Sequence, residues 1–227
     1  MTYLPDETDP NGAPATSERA GSRRALGCAF EIVETLVLTL LIYLVIHNFV
    51  AQPFEVQQSS MSPTIVNGEY ILIDKLTPRF NGYEYGDVVV FNPPSGSTLD
   101  AQGIPFIKRI IGMPGDTISL ENGRVFVTRE GASPVRIEEP YVVTDGDGST
   151  SPTTCPREDC PLTWIVGEDE YFVMGDNRPS SQDSRVFGPI EKETILGRAW
   201  VRYFPLERIG LIERPAYPAL GTALDDG

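Results

Sequence analysis

The side chains that could carry out chemistry in this chain are its serines, three lysines and a single histidine. The histidine, His47, lies inside a long apolar segment, which leaves no histidine to act as a general base elsewhere. A Ser-His-Asp triad is therefore effectively excluded, whereas a serine activated by a neutral lysine amine remains open. One histidine also excludes a multi-histidine metal site, and no metal or organic cofactor is expected.

Lys108 is the lysine whose surroundings best suit a general base. It lies in the middle of a predicted strand, and because side chains alternate across a strand it shares a face with Phe106 and Ile110. Apolar neighbours remove water from the ammonium, which lowers the pKa and can leave a neutral amine. The alternative is a lysine whose stem packs while its ammonium reaches water. Periodicity alone favours this alternative.

The segments that must position such residues have the pattern of short strands. Runs of alternating apolar and polar residues, bounded by Gly, Pro, Asn and Asp, recur through 70–203. This spacing is typical of an all-β domain, so we predict a mainly β fold of twisted antiparallel sheets. The domain is expected over 53–210, with an inserted hairpin and loop region over 117–171.

The acidic balance of the chain excludes one class of partner. Its 18 Lys and Arg against 32 Asp and Glu give a formal net charge of −14. A nucleic-acid-binding protein needs a basic face that displaces counterions from phosphates, so no nucleic-acid partner is expected.

An apolar segment precedes the predicted domain. From Thr35 to Phe54 there are 20 residues without a formally charged side chain. At about 1.5 Å per residue such a helix matches a hydrocarbon core about 30 Å thick. We therefore predict one retained transmembrane helix over 25–52, rather than a buried core helix or a cleaved signal peptide.

The charges that flank this segment predict its orientation. Three arginines precede it, at positions 19, 23 and 24, whereas the first charge after it is Glu55. The positive-inside rule therefore places the N-terminus in the cytoplasm and the domain on the extracytoplasmic side of the cytoplasmic membrane. Residues 1–24 are poor in apolar side chains, which predicts a disordered cytoplasmic tail. Residues 211–227 are predicted to form a frayed C-terminal tail.

Two cysteines, Cys155 and Cys160, lie in a Gly-, Ser-, Thr- and Pro-rich stretch that is predicted to be an exposed loop. On the oxidising side of a membrane, a disulfide between them is the natural interpretation. Two reduced thiols or half of a zinc site are the alternatives. Zinc is disfavoured because the rest of the chain offers too few Cys and His ligands.

Four short segments, in order after the apolar segment, resemble those of bacterial type I signal peptidase, also called leader peptidase. They are Ser60-Met-x-Pro-Thr64, Gly86-Asp-Val-Val-Val-Phe91, Lys108-Arg-Ile-Ile-Gly-Met-Pro-Gly-Asp116 and Gly175-Asp-Asn-Arg…Ser181-x-Asp-Ser-Arg185. Each is short, but four in register over about residues 30–205 make the resemblance specific. It implies a membrane-bound serine endopeptidase that cleaves signal peptides from exported preproteins with a Ser-Lys dyad.

The resemblance implies a role for each matching residue. Ser60 would attack the scissile carbonyl, and Lys108 would be the general base that takes its proton. Ser181 would hydrogen-bond the Lys108 amine and orient it. The Ser60 N–H would stabilise the tetrahedral oxyanion, with Gln58 as a candidate second donor. A lysine base also predicts maximal activity at neutral to alkaline pH.

The remaining matching positions would support the site or bind substrate. Two structural ion pairs are expected, Arg109 with Asp176 and Asp183 with Arg185. Shallow apolar pockets would accept only small residues before the cut, which gives an Ala-x-Ala preference. The positions expected to bind substrate are Phe54, Val56, Gln57, Met61, Phe106 and Ile107.

Two positions depart from the family pattern. Gln58 stands where many members have Ser or Gly, so it stays open whether its amide or the backbone alone completes the oxyanion hole. Pro179 stands where an Asp is frequent, which stiffens the loop and removes one carboxylate.

Two other functions compete with this interpretation. A self-cleaving repressor shares the Ser-Lys mechanism, but it would be cytosolic with a DNA-binding module, which the apolar segment and the acidic charge oppose. A membrane-anchored binding protein without turnover is opposed by the joint presence of Ser60, Lys108 and Ser181. The expected partners are therefore signal peptides of exported preproteins, the lipid bilayer and a nearby secretion translocon.

Overall fold

The computed structural model describes residues 18–94, 103–143 and 150–221. Its contacts divide the chain into two compact units, Met1–Ile46 and His47–Gly227. Most of the predicted N-terminal tail, residues 1–17, lies outside the described residues.

The described part of the first unit is helical, as helix α1 (Glu18–Val45). This helix begins earlier than the predicted residue 25, because the end of the predicted tail is rich in Arg and Ala, which favour helix. Large apolar side chains are exposed along it from Phe30 to Val45. Within the part of the chain that the structure describes, no helix is both long enough and apolar enough to cross a membrane. The transmembrane assignment stays a prediction.

The second unit is built mainly of antiparallel strands, which confirms the predicted mainly β fold. A π-helical segment (Ile46–Val50) leads from α1 into the first strand. The strands are β1 (Ala51–Glu55), β2 (Tyr70–Asp74), β3 (Val88–Phe91), β4 (Phe106–Gly112), β5 (Thr117–Glu121), β6 (Arg124–Thr128), β7 (Val135–Arg136), β8 (Thr163–Ile165), β9 (Glu170–Met174), β10 (Ile190–Glu191), β11 (Ile195–Phe204) and β12 (Gly210–Leu211). Two short helices, α2 (Thr77–Asn81) and α3 (Ser184–Phe187), lie between them. The 3₁₀ turns are Arg178–Ser180, Lys192–Thr194, Leu206–Arg208 and Pro218–Leu220.

The strands form two sheets in which every described pairing is antiparallel. The larger has the order β1-β2-β11-β3-β4-β9-β10, with β12 paired to β11. The smaller has the order β7-β6-β5-β8 and lies within the range where the sequence predicts an inserted hairpin. Its β5–β6 hairpin turns at Asn122 and Gly123, with φ of 50° and 73°, which is the backbone that a tight two-residue turn requires.

Strand β4 is buried along its whole length. It lies inside the larger sheet, between β3 and β9, and its side chains enter different apolar clusters on its two faces. Phe106 and Ile110 belong to one cluster and Ile107 to another. The predicted alternation of side chains around Lys108 is therefore confirmed, and the lysine is carried into the interior by its strand.

The C-terminal segment differs from the predicted frayed tail. Leu211 pairs with β11, and the side chains of Tyr217 and Leu220 are buried in an apolar cluster. The Tyr217 hydroxyl also lies 2.7 Å from the Tyr141 hydroxyl. Burial of these side chains keeps the chain packed as far as Gly221, and residues 222–227 lie outside the described part.

Candidate active site

Ser60 and Lys108 meet in the second unit. The Lys108 Nζ donates to the Ser60 Oγ at 2.8 Å and to the Ile107 carbonyl at 2.9 Å. Ser60 is 4% exposed and Lys108 is 1% exposed. A serine hydroxyl within hydrogen-bond reach of a buried amine is an arrangement that nucleophilic catalysis can use.

Burial changes the protonation of Lys108. Loss of water around the ammonium lowers the pKa of Lys108, and the nearby carboxylates of Asp183 and Asp176 raise it. The loss of water is the larger effect, so the pKa falls to about 8. The Nζ lies 5.0 Å from the centre of the Phe106 ring. The alternative of an ammonium that reaches water is therefore wrong, because the head of this lysine is buried together with its stem.

Ser60 lies in the loop Val56–Glu69 between β1 and β2, which we call the Ser60 loop. Two backbone bonds close its neck, from the Val56 N–H to the Glu69 carbonyl at 2.9 Å and from the Gly68 N–H to the Val56 carbonyl at 2.7 Å. The Ser60 carbonyl accepts from the Asn177 N–H at 2.9 Å. The backbone of Ser60 is thus tied to a second, distant segment, residues 175–185, which we call the 175–185 loop.

The 175–185 loop comes so close to Ser60 that its first residue must be glycine. A Cβ on Gly175 would overlap the Ser181 Oγ and would lie 2.5 Å from the Ser60 carbonyl oxygen. Both contacts lie well inside van der Waals separation, so no residue with a Cβ fits here without displacing Ser60.

Ser181 lies in this neighbourhood, but without the contact that the family resemblance implies. Its side chain is buried, its Oγ makes no hydrogen bond to the Lys108 amine, and its hydroxyl helps to hold the pKa of Asp183 below its usual range. The expected bond from Ser181 to the Lys108 amine is therefore wrong for this structure. The amine is directed instead at the Ser60 Oγ and the Ile107 carbonyl.

Both predicted ion pairs form, and both are buried. Arg109 binds Asp176 through two parallel bonds, Nε to Oδ1 at 2.9 Å and Nη2 to Oδ2 at 2.7 Å. Arg185 binds Asp183 in the same way, with both distances 2.8 Å. Paired charge-assisted bonds of this kind are among the strongest hydrogen bonds in proteins and fix orientation as well as distance.

The Asp183 carboxylate keeps its charge inside the protein. Burial raises its pKa, but the Arg185 guanidinium and the Gly175 N–H outweigh burial and hold the pKa of Asp183 below its usual range. The resulting negative charge is one of the two that raise the pKa of Lys108. The 175–185 loop therefore limits how far desolvation lowers the pKa of the amine.

Sequence reasoning missed a third buried arginine, Arg178. Its guanidinium pairs with Glu139, donates to the Thr153 Oγ1 at 2.6 Å and donates through Nε to the Gly175 carbonyl at 3.0 Å. It thereby holds the glycine that contacts Ser60. The sequence did indicate a role for Arg178, because it is the last residue of the Gly-Asp-Asn-Arg segment that carries the family resemblance. Nothing in the sequence indicated Glu139 as its partner. Thr153 is buried, so the stretch predicted to be an exposed loop is buried at this point.

Cys155 and Cys160 form a disulfide, with Cα atoms 6.3 Å apart. The carbonyl of the preceding residue, Thr154, accepts from the Arg185 Nη1 at 2.7 Å, which connects this stretch to the 175–185 loop. Among the residues that the structure describes, no group of three His, Cys, Asp or Glu side chains could hold a metal ion.

Most of the positions expected to bind substrate lie together. Phe54, Val56, Met61 and Ile107 share one apolar cluster around the start of the Ser60 loop. Phe106 belongs to a different cluster, on the Lys108 side of β4. Gln57 is exposed.

Gln58 is distinguished by an unsatisfied donor. Its side-chain Nε2 is buried and has no hydrogen-bond partner among the described residues. A buried donor without a partner carries a desolvation penalty of about 1–3 kcal/mol, which a bound acceptor would remove. An amide in this condition two residues before Ser60 is suited to receive a negatively charged oxygen.

The second unit also contains a cavity away from the predicted site residues. This cavity of about 1050 Å³ is lined by residues that include Tyr83, Glu191 and Ile195. None of the predicted site residues lines it. We place the candidate site at the Ser60–Lys108 contact because a buried amine with a lowered pKa meets a hydroxyl there.

The fold defines a mainly β protein with a buried Ser-Lys contact, and similarity to known proteins identifies its family. The family model described as "Signal peptidase, peptidase S26" matches residues 29–204. The chain is 34% identical to a probable signal peptidase I-2 from Synechocystis sp., over 80% of this chain and 76% of that protein. It is 30% identical to a signal peptidase I from Leptolyngbya laminosa, over 95% and 98%, and 33% identical to a signal peptidase I P from Bacillus subtilis subsp. natto, over 78% and 90%. The chain belongs to the signal peptidase family, peptidase S26, and is a serine endopeptidase, as the resemblance predicts.

We expect Asp176→Asn to destabilise the protein strongly, because it leaves the Arg109 guanidinium buried without a counter-charge. Removing one partner of a buried pair of this kind costs about 3 kcal/mol or more. Urea unfolding of the full chain in detergent measures the change. The matched control is Asp159→Asn, which breaks the exposed pair with Arg157 and should leave the unfolding midpoint unchanged. Equal midpoints for the two variants would contradict the assignment of a stabilising role to Asp176.

Proposed function

We propose that this endopeptidase removes signal peptides from exported preproteins with a Ser-Lys dyad, in which Ser60 is the nucleophile and Lys108 the general base. The observation that carries the proposal is the 2.8 Å contact between the Lys108 Nζ and the Ser60 Oγ in a buried site. A nearby histidine is not needed, because the amine itself can accept the proton.

The proposed reaction begins with neutral Lys108. As the Ser60 Oγ attacks the scissile carbonyl carbon, its proton passes to the Nζ, and the C=O electron pair becomes an oxyanion. The Lys108 ammonium then protonates the leaving amine, and the C–N bond breaks to give an acyl-enzyme. Water, deprotonated by the same amine, hydrolyses the ester and restores both side chains.

The electrostatics of the site suit this cycle. A pKa of about 8 leaves a substantial neutral fraction at physiological pH, while the protonated form remains acidic enough to return its proton. Asp183 and Asp176 stabilise the ammonium when it forms, without touching the reacting atoms. The ion pairs of these aspartates with Arg185 and Arg109 are structural, and Ser181 supports the site by packing against Gly175.

The oxyanion would be stabilised by the Ser60 N–H and by the Gln58 side-chain amide. Gln58 has a buried Nε2 without a partner among the described residues, which is the state expected of a donor reserved for a reaction intermediate. This proposal answers the open question at the position where many family members have Ser or Gly.

The substrate would bind as an extended strand. Strand β1 is at the edge of the larger sheet, and Pro53 within it is compatible with an edge position. A peptide added beside it would gain main-chain hydrogen bonds, with specificity from side-chain pockets. The cluster of Phe54, Val56, Met61 and Ile107 is already filled by its own side chains, which supports a preference for small residues such as Ala-x-Ala. Phe106 and the exposed Gln57 are proposed to contact the same peptide.

The lipid bilayer is the proposed location of the enzyme. The apolar side chains exposed on α1 from Phe30 to Val45 would be stable in a hydrocarbon environment and are unfavourable in water. With arginines ahead of this segment, we propose a cytoplasmic N-terminus and an extracytoplasmic catalytic unit. Preproteins emerge at the secretion translocon, so the enzyme would act close to it.

We expect Ser60→Ala and Lys108→Ala each to abolish cleavage of a preprotein with an Ala-x-Ala site, because one lacks the nucleophile and the other the base. The measurement is cleavage by the full chain in detergent, with the cut site read from the new N-terminus. A preprotein with Leu in place of the final Ala should be left uncut. Retained cleavage by Lys108→Ala would contradict the dyad, and an inert wild type would contradict the proposed removal of signal peptides.

We expect Gln58→Ala to lower kcat by about 100-fold with little change in KM, because an oxyanion donor acts on the transition state rather than on the bound substrate. The matched control is Gln57→Ala, the exposed glutamine one position away, which should raise KM and leave kcat unchanged. Equal kcat for Gln58→Ala and wild type would show that the backbone alone completes the oxyanion hole.

A further inference from the structure

The far side of the Ser60 loop is held by residues outside every segment that carries the family resemblance. The neck of the loop is closed by backbone bonds, but Pro63 and Thr64, just beyond Ser60, lie away from that neck. A loop fixed only at its ends would allow its middle to shift. The 175–185 loop holds Ser60 itself, and further contacts just beyond Ser60 come from β11 and from the 3₁₀ turn Leu206–Arg208.

Arg202, on β11, contacts the loop at two points. Its Nη1 donates to the Thr64 carbonyl at 2.9 Å and lies 3.3 Å from the Glu69 Oε2. Its Nε donates to the Arg208 carbonyl at 2.6 Å, which ties the 3₁₀ turn to the same guanidinium. The side chain is 16% exposed, so these bonds are largely shielded from water.

Arg208 and Glu69 complete the set. The Arg208 Nη1 lies 2.5 Å from the Glu69 Oε1, and its Nη2 donates to the Pro63 carbonyl at 3.3 Å. Glu69 is 1% exposed and also accepts from the Val66 N–H at 3.1 Å. A buried carboxylate is thus shared by two arginines, each of which also binds a backbone carbonyl of the Ser60 loop.

Thr64 connects this set to the ion pair beside Lys108. Its carbonyl is held by Arg202, and its hydroxyl donates to the Asp176 Oδ2 at 2.6 Å. Asp176 in turn binds Arg109, the neighbour of Lys108 on β4. A continuous path of hydrogen bonds therefore fixes the loop that carries the hydroxyl relative to the strand that carries the amine.

We propose that Glu69, Arg202 and Arg208, which we call the arginine clamp, are positioning residues that hold the Ser60 Oγ at the Lys108 Nζ. The proposal rests on the proposed role of Ser60 as nucleophile. The clamp acts through the loop backbone and touches neither substrate nor the reacting atoms. Loss of one clamp arginine removes the bond to the Thr64 or the Pro63 carbonyl and lets the loop backbone shift. A displacement of about 1 Å at a reacting group can lower a rate by about 100-fold.

The test compares Arg202→Gln with Arg198→Gln in the full chain. Arg198 lies on the same strand and is also partly buried, but it pairs with Asp74 and Asp87, which are outside the Ser60 loop. We expect both variants to lower the unfolding midpoint, whereas only Arg202→Gln lowers kcat, by about 10- to 100-fold, with KM within threefold of wild type. Arg202→Lys, which can keep one of the two loop contacts, should recover part of the lost kcat.

A second variant covers the outcome in which Arg202→Gln does not fold. Arg208 is 38% exposed, so Arg208→Gln should fold and still lower kcat with KM little changed. The proposed positioning role of the arginine clamp is wrong if a folded Arg202→Gln or Arg208→Gln variant keeps the wild-type kcat. It is also wrong if Arg198→Gln lowers kcat by as much as the clamp variants do. Ser60→Ala in the same assay separates the clamp proposal from the proposed function. If Ser60→Ala is inert while the clamp variants are fully active, only the clamp proposal fails. If Ser60→Ala cleaves the substrate, the proposed function fails.

Discussion

An ammonium group held in the middle of a buried strand loses the water that stabilises its charge, and Lys108 is in that position. Every residue of β4 is buried, and Lys108 itself is 1% exposed, so its ammonium is shielded from solvent. The consequence is a pKa lowered to about 8, which turns an ordinary surface cation into an amine that can accept a proton. A strand at the edge of the sheet would not have this effect, because its lysine would extend into water.

The other residues of the site surround the Lys108 amine without returning its pKa to that of a hydrated lysine. Two buried carboxylates raise the pKa of Lys108, but each is already paired with an arginine, so neither forms a direct ion pair with the amine. Gly175 lets the loop that carries these carboxylates approach the Ser60 backbone. The amine is left with a hydroxyl and a carbonyl as its partners, and in its neutral form its lone pair can accept the proton of that hydroxyl.

Local patterns in the sequence were sufficient for most of the strands, but not for the centre of the site. Periodicity alone favoured a Lys108 whose ammonium reaches water, and only the family resemblance singled out Ser60 among the serines. Alternation around Lys108 predicted the face it shares with Phe106 and Ile110, and the four short segments predicted the family and both ion pairs. Contacts between segments that are far apart in the chain leave no recognisable pattern in the sequence. The pairing of Arg178 with Glu139, the sharing of Glu69 by two arginines and the burial of Tyr217 each depend on tertiary packing. The expected bond from Ser181 to Lys108 failed for a related reason, since a matching motif fixes residue type and not the direction of a hydroxyl.

A largely desolvated Lys108 titrates far below an exposed lysine, and nuclear magnetic resonance can measure this directly. The chain has only three lysines, so labelling them with ¹³C at Cε gives three signals. The Lys108 signal is assigned by its loss in Lys108→Arg, and its shift is followed against pH in the full chain. We expect a midpoint at a pH of about 8. A midpoint at about 10.4, the value of a hydrated lysine, would contradict it.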